Sequence, residues 1–168
     1  MKRLFLMMVV ALTTLCANAQ VYVGGEVGIW YNDTQDKTFL SIAPSIGYEL
    51  NETWALGSEL KYAYKSDTFN KFEIAPYARC SFFHNDMVKL FVDLGFGVAV
   101  TNPEIGDNVT GWRIGAQPGI AIHLNKNFAL LAKAGFVGYD DKCMDETSKG
   151  FGAKLDGEHL SFGIEYTF

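Results

Sequence analysis

Apolar and polar residues trade places at every second position through most of this chain. In 88–100 the even positions are Val88, Leu90, Val92, Leu94, Phe96, Val98 and Val100, and the odd ones Lys89, Phe91, Asp93, Gly95, Gly97 and Ala99. In 111–124 the even positions are Trp112, Ile114, Ala116, Pro118, Ile120, Ile122 and Leu124, facing Arg113, Gly115, Gln117, Gly119 and His123. Successive side chains of a strand point to opposite faces, so period two predicts strands with one apolar face and one polar or small face. Eight such segments are expected: 21–31, 38–50, 54–65, 71–83, 88–100, 111–124, 128–138 and 157–168. The apolar face falls on odd numbers in the first (Val21, Val23, Val27, Ile29, Tyr31) and on even numbers in the other seven.

The links alternate too. Asn51-Glu52-Thr53, His84-Asn85-Asp86-Met87 and Asn125-Lys126-Asn127 are short and rich in Asn and Asp, which tolerate turn geometry. The links 32–37, 66–70, 101–110 and 139–156 are longer and polar. Short turns at one end and long loops at the other predict an all-β, eight-stranded antiparallel up-and-down barrel.

Which face points inward is decided by the polar side. It is full of small residues: Gly24, Gly28, Ser41, Ala43, Ser45, Gly47, Ala55, Gly57, Gly95, Gly97, Gly115, Gly119 and Gly163. A solvated face gains nothing from strand glycine, which weakens a strand, whereas the inside of a narrow barrel has little room. The apolar face carries no Asp, Glu, Lys or Arg in 38–50, 88–100 or 111–124. Apolar outside and polar inside is the order of a transmembrane barrel. Aromatic residues gather near both strand ends of the apolar face: Tyr48, Trp54, Phe82, Phe128, Tyr166 and Phe168 beside the short turns, and Tyr31, Tyr62, Tyr64, Phe72, Trp112 and Phe136 beside the long loops. Two such girdles are expected where amphipathic rings meet lipid headgroups.

The small-residue face also carries charge. Its acids are Glu26, Glu49, Glu59, Glu73, Asp93 and Glu165; its bases are Lys61, Lys65, Arg79, Lys89, Arg113 and Lys133. An unpaired charge in an enclosed interior is costly, so a balanced set predicts a structural network of ion pairs in a filled lumen. Bulky Phe39, Tyr77, Phe83 and Phe91 on the same face add to the filling. A weak internal repeat is also present. Ile42-Ala43-Pro44, Ile74-Ala75-Pro76 and Ala116-Gln117-Pro118 sit in the second, fourth and sixth segments, and a bulge is expected at each proline because it lacks a ladder N–H.

The first twenty residues follow another plan. Lys2 and Arg3 precede an apolar run over 4–15, and Ala17-Asn18-Ala19 reads as a small-x-small cleavage site, so 1–19 is expected to be a secretory signal peptide and 20–168 the barrel. The apolar run is too short to span a bilayer. The whole chain carries 14 Lys+Arg and 19 Asp+Glu; loss of 1–19 removes Lys2 and Arg3 and leaves 12 against 19, a charge of −7. That balance, with no basic stripe, argues against nucleic acid as a partner. Cys80 and Cys143 of the mature chain are about sixty residues apart and form no disulfide framework or zinc spacing; Cys80 falls on an apolar strand face and Cys143 in a polar loop.

The signal peptide, the eight two-faced strands, the hairpin from Pro44 through Trp54-Ala55-Leu56-Gly57-Ser58-Glu59-Leu60 and the ending His159-Leu160-Ser161-Phe162-Gly163-Ile164-Glu165-Tyr166-Thr167-Phe168 together resemble the small outer-membrane β-barrel family. That family includes the barrels of outer-membrane protein A and outer-membrane protein X, and the tone here is that of Bacteroidetes-type, porin-family members. The resemblance implies a bacterial outer-membrane location and outer-membrane lipid as surroundings. It also implies a C-terminal assembly signal ending in Phe168, read by the barrel-assembly machinery.

No cofactor, metal site or catalytic set is read from the chain. His84 sits in a turn; His123 and His159 fall on the inner face, where Glu49 and Ser161 are the possible partners for a lipid A-modifying enzyme. Asp140, Asp141, Asp145 and Glu146 do not have the spacing of an EF-hand calcium loop. The expectation is a non-enzymatic barrel with a structural or surface-interaction role and an unknown surface ligand. A small channel or carrier for ions or small apolar compounds, a lipid A-modifying enzyme and a soluble ligand-holding barrel stand as alternatives.

Overall fold

A computed structural model of the protein describes residues 20–32, 37–66, 68–103, 107–143, 149–155 and 159–168. The expected signal segment 1–19, together with Asp145 and Glu146, lies outside them. The strands are β1 (Gln20–Asn32), β2 (Lys37–Glu49), β3 (Trp54–Lys65), β4 (Phe69–His84), β5 (Val88–Pro103), β6 (Val109–His123), β7 (Phe128–Ala134), β8 (Phe136–Asp141), β9 (Lys149–Lys154) and β10 (Leu160–Thr167). All the ladders between them are antiparallel. β7 and β8 lie end to end along β6, while β10 follows β7 and β9 follows β8. Ten strands thus make eight staves, and β10 pairing with β1 closes an eight-stranded antiparallel barrel.

The faces follow the pattern of the sequence. Val27, Ile42, Ile46, Leu60, Ile74, Leu94, Val98, Ile122, Leu130 and Ile164 are exposed on the outside. Glu26, Ser41, Ser45, Glu59, Glu73, Arg79, Asp93, Lys133 and Glu165 are buried in the lumen. The only apolar clusters in the buried interior of the described residues are small: Phe91 with Ala121, Ala129 and Leu131, and Tyr22 with Ala55 and Tyr77. The inside-out arrangement places apolar area where only lipid can remove it from water.

Alternation fails at two points, and both correct the sequence reading. Phe83, expected inside, is exposed, as is its neighbour Phe82. The register slips between Ser81 and Phe83, because an extra residue opposite Phe91 and Leu90 turns Phe83 to the other face. Phe136, expected in the outer girdle, is 4% exposed inside the lumen. The cause is Gly135, whose φ of 72° breaks the stave between β7 and β8; a side chain there would be strained. After it the inward residues are Phe136, Gly138 and Asp140, so even numbers face in. Part of the expected loop 139–156 is also strand: β8 runs to Asp141 and β9 returns antiparallel to it. Cys143, placed in a polar loop by sequence, is 1% exposed.

The proline bulges need correction as well. Pro44 pairs with Gly25 of β1, and Pro76 with Ser58 of β3. Toward β3 and β5 respectively the ladder skips the proline and resumes in the same register, from Ile42↔Tyr62 to Ser45↔Glu59 and from Ile74↔Val98 to Tyr77↔Gly95. These are gaps in hydrogen bonding, not bulges; the missing N–H interrupts the ladder without adding a residue. Only opposite Pro118 does the register shift, and there the extra residue is Gly135 on the partner stave.

The three tight turns are copies of one device. The Oδ1 of Asn51 accepts from the N–H groups of Thr53 (2.9 Å) and Trp54 (2.8 Å). Asn85 does the same for Met87 (3.0 Å) and Val88 (2.7 Å), and Asn125 for Asn127 (2.8 Å) and Phe128 (2.9 Å). Each side chain replaces backbone partners that the turn withholds.

Candidate functional site: the ionic lumen

Three layers of charge fill the lumen. At the short-turn mouth, Lys89 Nζ donates to Glu49 Oε1 at 2.7 Å, and His84 lies 3.4 Å from Glu52. Above them the Arg79 guanidinium forks onto Asp93, with Nε to Oδ1 at 2.8 Å and Nη2 to Oδ2 at 3.2 Å. Its Nη1 donates to Glu165 Oε2 at 2.8 Å, and its Cζ lies over the Phe91 ring, 4.0 Å from the centroid. A fork on a carboxylate plus an aromatic face is the environment that suits arginine over lysine. Beside it the Tyr22 and Tyr77 hydroxyls meet at 2.9 Å. The rings occupy space that glycine opens: a Cβ at Gly47 would strike the Tyr22 ring and the Leu56 carbonyl, and one at Gly57 would strike both tyrosines.

Lys133 is the hub of this middle layer. Its ammonium pairs with Glu26, with Asp93 Oδ2 at 3.1 Å and with Glu59 Oε2 at 3.3 Å. Ser161 Oγ donates to Glu26 Oε2 at 2.6 Å. The residual space here, bordered by Glu59, Asp93, Arg113, Gln117 and Lys133, is about 30 Å³, room for about one water.

The layer toward the long loops is built differently. Arg113 pairs with Glu73 and lies 5.2 Å from the Phe136 ring centroid. Lys71 Nζ donates to the backbone carbonyl of Cys143 at 3.0 Å, and Asp140 Oδ1 accepts from the Cys143 N–H at 3.2 Å. Lys142 supports that bend with a φ of 58° and a bridge to Trp112. The end of β8 is thereby tucked into the barrel mouth. Lys61 borders a small space with Phe39, Phe69 and His159, and Lys65 is part-buried at the same end.

Each of the twelve charged residues selected from the sequence lies on the inner face, buried or part-buried. Three further lumen charges among the described residues escaped it. Lys71 shares a face with Glu73, so alternation alone was enough to find it. Asp140 and Lys154 became lumen residues only through the switch at Gly135 and the existence of β9. Of the partners that the sequence offered to His123 and His159, Glu49 accepts from Lys89 and Ser161 donates to Glu26. No cluster of three or more His, Cys, Asp or Glu side chains with metal-holding geometry occurs among the described residues. At the C-terminus, Phe168 N donates to Val21 O at 3.0 Å, and its exposed ring packs edge-on against Tyr166 at 4.9 Å.

A closed eight-stave barrel with an apolar exterior, two aromatic girdles and an ionic lumen is a transmembrane barrel of the bacterial outer membrane. The family model for the outer membrane protein beta-barrel domain matches residues 4–168, and the chain belongs to that family. Among solved structures it is similar to the N-terminal beta-barrel domain of Pseudomonas aeruginosa OprF, with 15% identity, a TM-score of 0.63 and coverage of 89% of this chain and 97% of that one. It is also similar to Neisserial surface protein A (NspA), with 14% identity, a TM-score of 0.59 and the same two coverages, 89% and 97%. At these identities the likeness is one of fold. No curated protein matches the sequence significantly.

Proposed function

We propose that this protein is a non-enzymatic outer-membrane barrel with a structural and surface-presenting role, and that its ion pairs are a structural network and not a conduction path. The short turns and both termini of the mature chain face the periplasm, and the long loops face outward, as in barrels of this family. The single observation that carries the reading is the middle layer. Tyr22 and Phe91 are wholly buried, Arg79 is held by Asp93, Glu165 and Phe91, and Lys133 is held by three carboxylates. A mobile ion crossing this layer would have to displace paired buried charges, each costly to leave unpaired. Purified protein in planar bilayers is expected to give no steady current; steady open-channel currents would refute the reading. A lipid A-modifying activity is tested separately, by mass spectrometry of lipid A from cells with and without the protein, where no change is expected. Phe168 and its neighbours serve as the assembly signal, so deletion of Phe168 is expected to lower the folded, membrane-inserted fraction in cells.

A further inference from the structure

The lumen layer toward the long loops holds more donors than acceptors. Arg113 gives its Nε to Glu73, and its two Nη groups meet no acceptor among the described residues. The Lys61 ammonium makes no hydrogen bond or ion pair among those residues, and the side-chain amide of Gln117 makes no hydrogen bond. Lys71 spends its ammonium on a neutral acceptor, the Cys143 carbonyl.

Three of these groups converge. Lys61, Arg113 and Gln117 border one chamber of about 20 Å³, together with Glu73 and the rings of Phe39 and Phe69. That volume admits about one water or one ion of similar size. Glu73 is the one acid on its border and is taken by Arg113; His159, also on the border, adds no negative charge. Lys61 and Arg113 both repel Lys71, and all three cations attract Glu73. One carboxylate thus serves three cations, whereas in the layer below Lys133 alone has three carboxylates. Those lower acids offset the charge from a distance but offer the free donors no acceptor. Glu59 and Asp93 border the neighbouring chamber, and both hold Lys133.

Enclosed polar groups require partners, and hydrogen bonds that carry a charge are the strong ones. A water in the chamber would bring two protons of its own to a place already short of acceptors. A halide brings none, and it carries the charge that the layer lacks.

We propose that this chamber binds one small monovalent anion of the halide class, chloride in the first instance, held by Lys61, the Nη groups of Arg113 and the Gln117 amide. The site is a dead end. Arg79, Lys133 and their carboxylates fill the layer below, so the ion completes the charge network without crossing the barrel. Binding is measured apart from conduction, so failure of this site and failure of the structural reading give different results.

The test is the line width of the chloride NMR signal, which broadens when the ion leaves free solution for an asymmetric site. Purified folded protein in an uncharged detergent is titrated with sodium chloride, with sodium gluconate holding the ionic strength constant. Broadening is expected to saturate, and bromide is expected to reverse it. Gluconate, too large for the chamber, should leave it unchanged. Lys61→Met should weaken chloride binding about tenfold, because it removes a charged donor. Gln117→Leu removes a neutral donor and should weaken it less. Lys126→Met, at an exposed turn lysine, should have no effect. Broadening that rises without saturation, or that is the same in Lys61→Met, would mean that water fills the chamber and would overturn the site. Displacement by gluconate as readily as by bromide would place the ion on an open charged surface, and would overturn it too. The bromide and gluconate arms use the unaltered chain, so they decide the matter even if heat-modifiable gel mobility shows that Lys61→Met does not fold.

Discussion

The two halves of this barrel solve the same problem in opposite ways. Toward the short turns the wall is closed, the turns are three copies of one asparagine device, and the lumen is packed until glycine is required. Toward the long loops the eighth stave is split into β9 and β10, β9 is laddered to β8, and among the described residues nothing lies within 4 Å of a Cβ at Gly150 or Gly152. The charge differs likewise. Among the described lumen residues, Glu26, Glu59, Asp93 and Glu165 share Arg79 and Lys133 in the short-turn half, an acidic excess, whereas Lys61, Lys65, Lys71, Arg113 and Lys154 outnumber Glu73 and Asp140 in the long-loop half. The lesson is that near-neutrality summed over a whole lumen conceals a polarised one. Pairing and close packing make the first half a plug, whereas around β9 the described residues pack less tightly.

The comparison is broken most directly by removing one lysine from each half. Lys133→Met leaves Glu26, Glu59 and Asp93 without their shared cation, and loss of one partner from a buried ionic group costs about 3–5 kcal/mol. Lys154→Met removes a part-exposed contact of 3.5 Å and should cost at most about 1 kcal/mol. Urea unfolding of protein folded into lipid vesicles measures both, and equal losses would mean that the halves are not differently built.

The outer surface gives the next contrast. Leu94→Arg places a charge outside at mid-strand and should cost about 2–4 kcal/mol, while Phe151→Arg, opposite Tyr139 near the upper girdle, should cost about 0–1 kcal/mol. A harmless Leu94→Arg in the same titration would put the apolar face inside.

Glycine substitution sharpens the contrast further. Gly47→Ala forces a methyl group onto the Tyr22 ring and the Leu56 carbonyl, and overpacking of this kind costs about 1–3 kcal/mol. Gly152→Ala adds a methyl group to open space and should stay within about 0.5 kcal/mol of the parent.

Why the sequence disclosed one half better than the other follows from the same contrast. Alternation reports which face a residue occupies as long as each residue advances the strand by one step, and that holds through β2, β3, β5 and β6. It fails where a residue is inserted. Phe82 and Phe83 are both apolar, so nothing in their chemistry marks the slip. Gly135 did leave a trace: Asp140 would sit on the lipid face under the unbroken parity, and a carboxylate there is the sign that the face had switched. The charged lumen residues were legible one by one because each lies on a polar face. Their partners were not, since Lys133 meets Glu59, 74 positions away, only once shear and stave order are fixed. The split of one stave into β9 and β10 was illegible for a related reason, because period two describes single strands and says nothing about which edges meet.

The turns offer a smaller effect than the lumen charges or the lipid face. Asn51, Asn85 and Asn125 each accept two backbone N–H groups that the turn cannot pair elsewhere. Asn→Ala at any one removes both acceptors, but the turns are exposed, so water takes over part of the bonding and the net loss should be about 0.5–1.5 kcal/mol. The three changes lie on different hairpins and share no partners, so their costs should add. At the other end, the turn after β3 is held by Thr68 Oγ1 donating to the Ser66 carbonyl at 3.0 Å, and Thr68→Val should cost less than any asparagine change. If the triple asparagine variant refolds at the parental rate and stability while Thr68→Val does not, the short-turn end is not where the hairpins are fixed, and the closed half owes its order to Lys133 and Arg79 alone.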